Sequence, residues 1–310
     1  MPNWVLSAPF IGLHVACLAA LLTGVDAVAL ILLAVTYLIK MFGVTAGYHR
    51  YFAHRAFKTS RVGQFILAWL GCSTMQRGPL WWAAHHREHH RHSDTPLDPH
   101  SPHETSFWWA HLGWVLSEDV AGAPYEKIRD YSSYWELRFL DKFHWIPGIV
   151  LATACYVIGA VCGGWDGSWQ TFFVQLPGWT SLVWGFLVST VLTYHVTFSI
   201  NSLSHLWGKR RYATDDDSRN NWLLAVLTLG EGWHNNHHHF QSSANQGFFW
   251  WEIDVSYYLL CLFSLVGLVW DVRRPGAKAL RHRGLKASPL PPGAEEAPEQ
   301  DEELVKSEVA

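Results

Sequence analysis

Residues 27 to 46 read AVALILLAVTYLIKMFGVTA, an apolar run in which Lys40 is the only charged side chain. A helix of about 20 apolar residues is long enough to cross the hydrocarbon core of a bilayer. Three further stretches approach this length and composition, at 5 to 22, 145 to 162 and 179 to 200. The 310-residue chain is 49% hydrophobic and 15% aromatic, which favours a membrane protein over a soluble one.

The four apolar stretches pair into two helical hairpins. The first two are joined by the turn TGVD and the last two by GGWDGSWQTFFVQLP, and neither connection contains lysine or arginine. Basic residues gather in the segments on the opposite side, from Arg50 to Arg91 and from Lys209 to Arg219, a side that the positive-inside rule assigns to the cytoplasm. The sequence predicts an all-α membrane protein with four transmembrane helices and both termini cytoplasmic.

The remaining segments complete the predicted organisation. Residues 62 to 76 and 248 to 270 are apolar but the second contains Glu252 and Asp254, so we expect interfacial or cytosolic helices rather than further spans. Lys40, near one end of its span, is expected to snorkel towards the interface. From Pro275 onward the composition cannot bury a core, which predicts a membrane domain over 1–274 and a disordered tail over 275–310.

Composition also excludes several classes of function. The formal charge of −3 and the lack of a basic stripe argue against a nucleic-acid partner. The five cysteines form no CxxC pair, so a disulfide framework, a zinc ribbon and a rubredoxin-like iron site are not expected. No basic region precedes the first apolar run, which predicts a retained span rather than a cleaved signal peptide.

Histidines cluster in segments that the predicted topology places on the cytoplasmic side. The clusters are HRYFAH with His49 and His54, HREHH with His86, His89 and His90, NSLSH with Asn201 and His205, and HNNHH with His234, His237 and His238. Offsets of three and four residues place side chains on one face of a helix, so each HxxHH triplet can hold a metal ion. His49 and His54 are five apart, about 140° on a regular helix, so they either straddle a helix end or serve two different metals.

Nine histidines are more than one ion can bind, which predicts two metals. Imidazole suits iron, copper, nickel and zinc, whereas calcium and magnesium call for oxygen ligands. Carboxylates that could accept the second ring N–H lie nearby in the sequence, at Glu88, Asp94, Asp98, Glu231 and Asp215 to Asp217.

The other histidines are interpreted differently. His14 and His195 fall inside predicted spans and are expected to form hydrogen bonds between helices. Seven more lie outside the repeated triplets and are not expected to be ligands: His85, His92, His100, His103, His111, His144 and His282. His239 is out of frame with HxxHH and is expected to face solvent, a headgroup site or an electron carrier.

These segments resemble the membrane-bound fatty acyl desaturases of the stearoyl-CoA (delta-9) type, in a bacterial or plant-like form. GVTAGYHRYFAH, GPLWWAAHHREHHRHSDTPLDPHSP, FWWAHLGW, HVTFSINSLSHLWG and EGWHNNHHHF follow the order of that family's motifs between about residues 25 and 272. The resemblance implies a four-span helical protein whose cytosolic cap carries a di-iron centre. The ligands that it implies are His49, His54, His86, His89, His90, His205, His234, His237 and His238, with Asn201 acting through a water molecule.

The resemblance also implies an activity and its partners. The reaction is the oxygen-dependent removal of two hydrogens from a long-chain acyl group, giving a cis double bond at delta-9 and water. Acyl-CoA is the first choice of substrate and an acyl lipid or acyl carrier protein the alternative, with Gln76, Arg77 and Trp82 as candidate headgroup contacts. Electrons are expected from a separate carrier and reductase, which could dock on Lys209, Arg210 and Arg211, and the location expected is a bacterial inner membrane.

Two other functions can be weighed against the residues. A di-iron hydroxylase of alkyl or acyl chains would share every histidine motif, and only its product would differ. A metal transporter would place its binding site between the spans near the middle of the membrane. The predicted spans contain only His14 and His195, so a transporter is disfavoured.

Overall fold

The structure, a computed structural model, describes residues 4–162 and 177–281 as helices with one two-stranded sheet. The α-helices are Trp4–Ala16, Ala20–Thr23, Ala27–Phe42, Arg61–Cys72, Pro79–His92, Arg129–Ser132, Trp135–Lys142, Ile146–Cys162, Pro177–Leu182, Ser189–Leu206, Trp222–Leu227, His234–His239, Val255–Leu265 and Ala277–Leu280. Segments Gly43–Ala53, Trp109–Gly113 and Val183–Val188 are π-helical, and Cys17–Ala19, Trp114–Leu116, Glu118–Val120 and Tyr125–Ile128 are 3₁₀ turns. Strands Lys58–Thr59 and Val269–Trp270 pair antiparallel. The prediction of a mainly helical membrane protein is confirmed.

Two continuous helices are long and apolar enough to cross a membrane, Ala27–Ala53 and Pro177–Leu206. Ile146–Cys162 becomes a third only together with Trp135–Lys142, from which it bends by 68°. The first predicted span is the shorter apolar segment Ser7–Thr23, interrupted by a 3₁₀ turn. Two or three spans are therefore supported among the described residues, and the four-span topology stays a prediction.

The span Ala27–Ala53 organises the membrane part of the fold. Its first turn is capped by Asp26, whose Oδ1 accepts a hydrogen bond from the Ala29 amide at 2.7 Å. Near its other end, Gly43 and Gly47 allow the helix Arg61–Cys72 to lie directly against it. A Cβ at Gly43 would lie 2.6 Å from a backbone carbon of that helix, and one at Gly47 would lie 2.9 Å from a backbone oxygen.

Lys40 does not snorkel. Its side chain is fully buried, and Nζ donates to Ser189 Oγ at 2.7 Å, to Thr190 Oγ1 at 2.6 Å and to the Phe186 carbonyl at 3.2 Å. Three acceptors match the three donors of an ammonium group. Lys40 therefore joins the span Ala27–Ala53 to Pro177–Leu206, and the prediction that it reaches the interface is wrong.

His14 and His195 form the predicted bond between helices, with their Nε2 atoms 3.1 Å apart. A third imidazole extends the chain, because His111 Nε2 lies 3.0 Å from His195 Nδ1. His111 in turn contacts Ser202 Oγ through Nδ1 at 3.0 Å. These three histidines thus satisfy one another at the junction of three helical segments.

Part of the segment predicted to be disordered is ordered. Ala277–Leu280 forms a short helix, and the Leu280 side chain is buried against Tyr212, Phe248 and Phe249. Leucine supplies the apolar anchor that the surrounding Pro, Gly and Lys residues lack. Residues 282–310 lie outside the described residues, so the extent of the disordered tail stays a prediction.

Candidate metal centre

Nine histidines converge in two adjoining groups. The five-histidine group contains His49, His54, His86, His90 and His237, and the four-histidine group contains His89, His205, His234 and His238. Within each group one ring nitrogen per residue lies within 4.8 Å of all the others. The rings of His90 and His238 are 4.4 Å apart, so the two groups are neighbours. These nine are the histidines that the sequence and the resemblance single out.

A π-helix explains how His49 and His54 reach the same group. Segment Gly43–Ala53 is π-helical, and the His54 amide donates to the His49 carbonyl at 3.1 Å. With roughly 4.4 residues per turn, a π-helix brings residues i and i+5 nearly onto one face. Their ring centroids are 4.8 Å apart. His54 ends the helix as expected, but the two rings do not belong to different groups.

Each HxxHH triplet is divided between the two groups. On helix Pro79–His92, His86 and His90 enter the five-histidine group and His89 enters the four-histidine group. On helix His234–His239 the division is reversed: His234 and His238 enter the four-histidine group, and His237 enters the five-histidine group. The sequence suggested instead that one triplet could hold one metal.

The short helix His234–His239 is held by side chains from other segments. Asn235 Oδ1 accepts the Tyr212 and Arg211 amides, both at 2.7 Å. Asn236 Nδ2 donates to Glu252 Oε2 at 2.9 Å. A six-residue helix is too short to be stable alone. The two asparagines between the histidines therefore fix the direction of the rings.

The Nε2 atoms of the five-histidine group point at one another. The His49–His237 and His86–His90 pairs are 3.0 Å apart, and the His54–His86 and His90–His237 pairs are 2.9 Å apart. Neutral imidazole carries one N–H, and the Nδ1 atom of His49 already lies 2.5 Å from Glu231 Oε2. An inward-facing set of imidazole nitrogens is the donor set that binds iron, copper or zinc.

The four-histidine group has more carboxylate contacts than the five-histidine group. Nδ1 of His89 lies 3.0 Å from Asp98, Nδ1 of His205 lies 2.7 Å from Asp94, and Nδ1 of His238 lies 2.5 Å from Asp216. His238 Nε2 is buried and has no hydrogen-bond partner among the described residues. A histidine with one nitrogen on a carboxylate and the other facing a buried centre has the geometry of a metal ligand.

The predicted carboxylate partners are therefore found in part. Asp94, Asp98, Asp216 and Glu231 contact the rings, whereas Glu88 pairs with Arg91 and Lys127, and Asp217 pairs with Arg210. The resulting pKa shifts have clear causes. Burial opposes ionisation of Asp98 and Asp216, but their histidine partners, His89 and His238, hold the pKa of each below its usual range.

The histidines themselves are held mainly in the neutral form. Burial, followed by neighbouring imidazoles, lowers the pKa of His54, His86 and His90 well below 6.5. Burial also lowers the pKa of His238, to about 4, although Asp216 opposes the shift. His89 differs, because Asp98 outweighs burial and raises its pKa. Neutral rings are ready to bind a metal without first losing a proton.

Two residues of the site carry little signal in the sequence. Arg50 is fully buried, and its guanidinium binds Glu231 at 3.0 Å and Asp254 at 2.9 Å. Its place in the sequence, between the candidate ligands His49 and His54, could have indicated that Arg50 belongs to the site. Gln246 places its amide nitrogen 3.3 Å from His49 Nδ1, and its Oε1 is buried with no partner in the part of the chain that the structure describes. Nothing near Gln246 in the sequence indicates this role.

The other predicted site residues are placed as follows. Asn201 lies one turn before His205 on the same helix and is half-buried. Gln76 is buried and donates to Thr197 Oγ1 at 3.2 Å. Trp82 stacks on the His86 ring at 4.9 Å, and the half-buried Arg77 lies 5.5 Å from the Trp81 ring.

Three histidines that belong to neither group, His100, His103 and His239, lie close to the site. His100 packs on His89 at 4.3 Å, and His103 Nε2 contacts the His205 carbonyl at 3.1 Å. His239 is half-buried rather than solvent-facing. It stacks on Tyr212 at 4.0 Å, and its Nε2 lies 2.8 Å from the Ala279 carbonyl.

The basic patch expected to receive an electron carrier is partly neutralised. Arg210 binds Asp217 at 3.2 Å, and Arg211 forms an ion pair with Glu252. Lys209 is exposed. Two of the three charges are therefore used within the chain itself.

Comparison with known proteins bears on what this site does. The family model described as Fatty acid desaturase matches residues 26–260. The chain is 38% identical over 250 residues to the Delta-9 acyl-lipid desaturase 2 of Arabidopsis thaliana, covering 80% of this chain and 75% of that protein. It is 36% identical over 267 residues to the Acyl-CoA C20 Delta5-desaturase of Anemone leveillei, covering 85% and 80%. It is 35% identical over 277 residues to the sn-1 stearoyl-lipid 9-desaturase of Anabaena variabilis, covering 87% and 94%.

Proposed function

The chain belongs to the fatty acid desaturase family and desaturates fatty acyl chains, and we propose that it forms a cis double bond at delta-9 of a long-chain acyl-CoA, with dioxygen as the oxidant. The observation that carries this proposal is the convergence of nine histidines, six buried and three half-buried, in two neighbouring groups. Imidazole nitrogen is their shared donor, and carboxylates outside the groups orient the rings. This arrangement suits two redox metals acting together.

Iron is the metal that we propose for both groups. Bound there, two irons would supply the redox chemistry that couples the reduction of dioxygen to the removal of two hydrogens from adjacent methylenes. The chain itself supplies mainly neutral ligands and a largely buried site, and Asp98, Asp94 and Asp216 contact Nδ1 of His89, His205 and His238. Asn201 is proposed to act through a water molecule on the same side.

The relatives differ in the acyl carrier for which they are named. The relatives are named for both acyl-CoA and acyl-lipid substrates and for delta-5 as well as delta-9 positions. Of the candidate headgroup contacts, Arg77 is half-buried and has no carboxylate ion pair within the described ranges. Its positive charge suits a phosphate-bearing headgroup. Gln76 and Trp82 are proposed to lie nearer the reacting part of the chain, because one is buried and the other stacks on His86.

Electron supply and orientation are further proposals. We expect a separate carrier and reductase, and a cytoplasmic site with both termini on that side of a bacterial inner membrane. Purified protein given NADPH and dioxygen alone should form no product, and a reductase and carrier should restore turnover. Product without the added proteins would contradict this expectation.

The fatty-acid profile of cells that express the chain tests the function. We expect a new cis delta-9 monounsaturated acid with the wild type and none with His49→Ala, measured by gas chromatography and mass spectrometry. Elemental analysis and Mössbauer spectroscopy of iron-grown protein should show two irons per chain. A hydroxylated acyl product would instead favour a di-iron hydroxylase, and zinc alone under these conditions would contradict the iron assignment.

A further inference from the structure

Helix Val255–Leu265 and the strand that follows it form an apolar hairpin beside the span Ala27–Ala53. Near its start, Ser256 Oγ lies 2.6 Å from Thr45 Oγ1, and near its end the Phe263 ring lies 5.9 Å from that of Phe42. The helix therefore runs antiparallel to the span. It leads from the level of the histidines towards the hydrocarbon core.

The hairpin is too short to cross the membrane and returns to the side that it came from. Eleven residues span only about 16 Å as a helix. The return is held by strand pairing, in which Lys58 lies opposite Trp270. The tip is apolar and open, with Leu265 84% exposed and Val266 66% exposed. An open apolar tip of this kind belongs in one leaflet of the bilayer.

A cleft of about 630 Å³ opens on the outer face of the hairpin. It is lined by Tyr258, Cys261, Leu262, Ser264, Leu265, Val272 and Arg274. The opposite face of the helix carries the buried residues Ser256, Tyr257 and Leu260. The cleft is therefore separated from the histidine groups by the helix itself.

Arg274 is the only charged side chain in this lining. Its guanidinium lies 5.4 Å from the Tyr257 ring, and Nη2 lies 3.9 Å from Cys261 Sγ. No carboxylate pairs with it in residues 4–162 or 177–281. By contrast, Lys58 on the paired strand binds Asp271 at 3.0 Å. An arginine at the mouth of an apolar cleft, without an internal counter-ion, is complementary to an amphiphile with an anionic head.

We propose that this cleft binds one anionic phospholipid, with its phosphate at Arg274 and an acyl chain along Leu262 and Leu265. Arginine binds phosphate through two parallel N–H donors. The helix from Tyr258 to Leu265 offers roughly 10 Å of apolar wall, enough for about eight methylenes of one chain. The bound lipid is structural rather than a substrate, because the cleft faces away from the histidines.

Native mass spectrometry of the full chain, released from nanodiscs of equal phosphatidylglycerol and phosphatidylcholine, tests the proposal. The wild type should retain phosphatidylglycerol roughly five- to tenfold over phosphatidylcholine. Arg274→Gln should remove this preference, and Leu262→Glu should lower retention of both lipids. The matched control is Arg138→Gln, an exposed arginine on helix Trp135–Lys142 that should behave as the wild type.

Several outcomes would overturn the proposal. They are equal retention of the two lipids by the wild type, an unchanged preference in Arg274→Gln, and an equal loss in Arg138→Gln, which would indicate a general basic surface. Displacement of phosphatidylglycerol by an equal concentration of oleate would identify a free fatty-acid site instead. All readouts concern bound lipid, so they do not depend on desaturase activity.

Discussion

The two histidine groups are built from the same sequence pattern and yet have different surroundings. Both take ligands from the two HxxHH helices, but three of the four rings in the four-histidine group contact carboxylates. In the five-histidine group only His49 does, through Glu231. One group is held mainly by charged partners, and the other by packing of rings against rings.

Helix geometry explains why the triplets divide. At 100° per residue, position i+4 lies about 40° from position i, whereas i+3 lies about 60° away on the other side. Positions i+3 and i+4 are thus about 100° apart, and i is closer to i+4. His86 with His90, and His234 with His238, share a group for this reason, and the middle histidine enters the other. Each HxxHH motif therefore contributes histidines to both groups rather than to one.

The largest expected effect comes from removing one ligand of each group. His237→Ala and His238→Ala should each reduce desaturation below roughly 1% of wild type, and each should lose a different metal ion. His86→Ala should share the spectroscopic signature of His237→Ala, and His89→Ala that of His238→Ala, although His86 and His89 lie on one helix. Metal content and Mössbauer spectra measure this. Identical spectra for all four variants would show that the division is wrong.

A smaller effect is expected from replacing a carboxylate that contacts a ligand. Asp216→Asn should weaken metal binding in the four-histidine group by roughly 10- to 100-fold, because Nδ1 of His238 exchanges a charged carboxylate for a neutral amide. The five-histidine group should keep its metal. Glu88→Gln is the matched control, since Glu88 binds Arg91 and Lys127 rather than a ligand. Metal titration of purified protein measures both, and an equal loss in the control would remove the distinction.

The free energy of unfolding of the metal-free protein should depend on pH, and histidines of the two groups should contribute to it with opposite sign. Because burial lowers the pKa of His54 and His86, the unfolded chain binds more protons than the folded one below pH 6.5. The free energy of unfolding should therefore fall on acidification, by up to about 1.4 kcal/mol per pH unit for each such ring.

His89 should act in the opposite sense, since its pKa is raised in the folded state. Its stabilising contribution is present below its unfolded pKa and is lost as pH rises through the folded value. Thermal unfolding between pH 7.5 and 5 should show a steeper loss in His89→Gln and a shallower one in His54→Gln. The same slope in both variants would contradict the contrast.

The smallest effect is expected from replacing His239, which follows His238 in the chain. His239→Ala should keep both metals and most of the activity, because His239 contacts Tyr212 and the Ala279 carbonyl and belongs to neither group. Loss of these contacts should lower the free energy of unfolding by roughly 1 to 2 kcal/mol. Iron content and thermal unfolding measure this. A loss of iron as complete as that of His238→Ala would mean that the ligands within HNNHHH are wrongly assigned.

The sequence alone determined which histidines converge and what kind of fold carries them. The nine members of the two groups stand in motifs that imidazole chemistry, helical spacing and the family resemblance together single out, and the two long spans follow from apolar length. These features are local, because a few consecutive residues decide them. Glu88 shows the limit, since a carboxylate beside a ligand in the chain turned out to bind Arg91 and Lys127.

Only the tertiary structure decided how the nine histidines divide between the two groups. The π-helical turn that unites His49 and His54 depends on packing against a neighbouring helix, and the burial of Lys40 depends on acceptors about 150 residues away. Gln246 reaches His49 across a separation of 197 residues. Such contacts depend on how distant segments are oriented in the folded molecule, and the spacing of residues along one segment carries no information about that orientation.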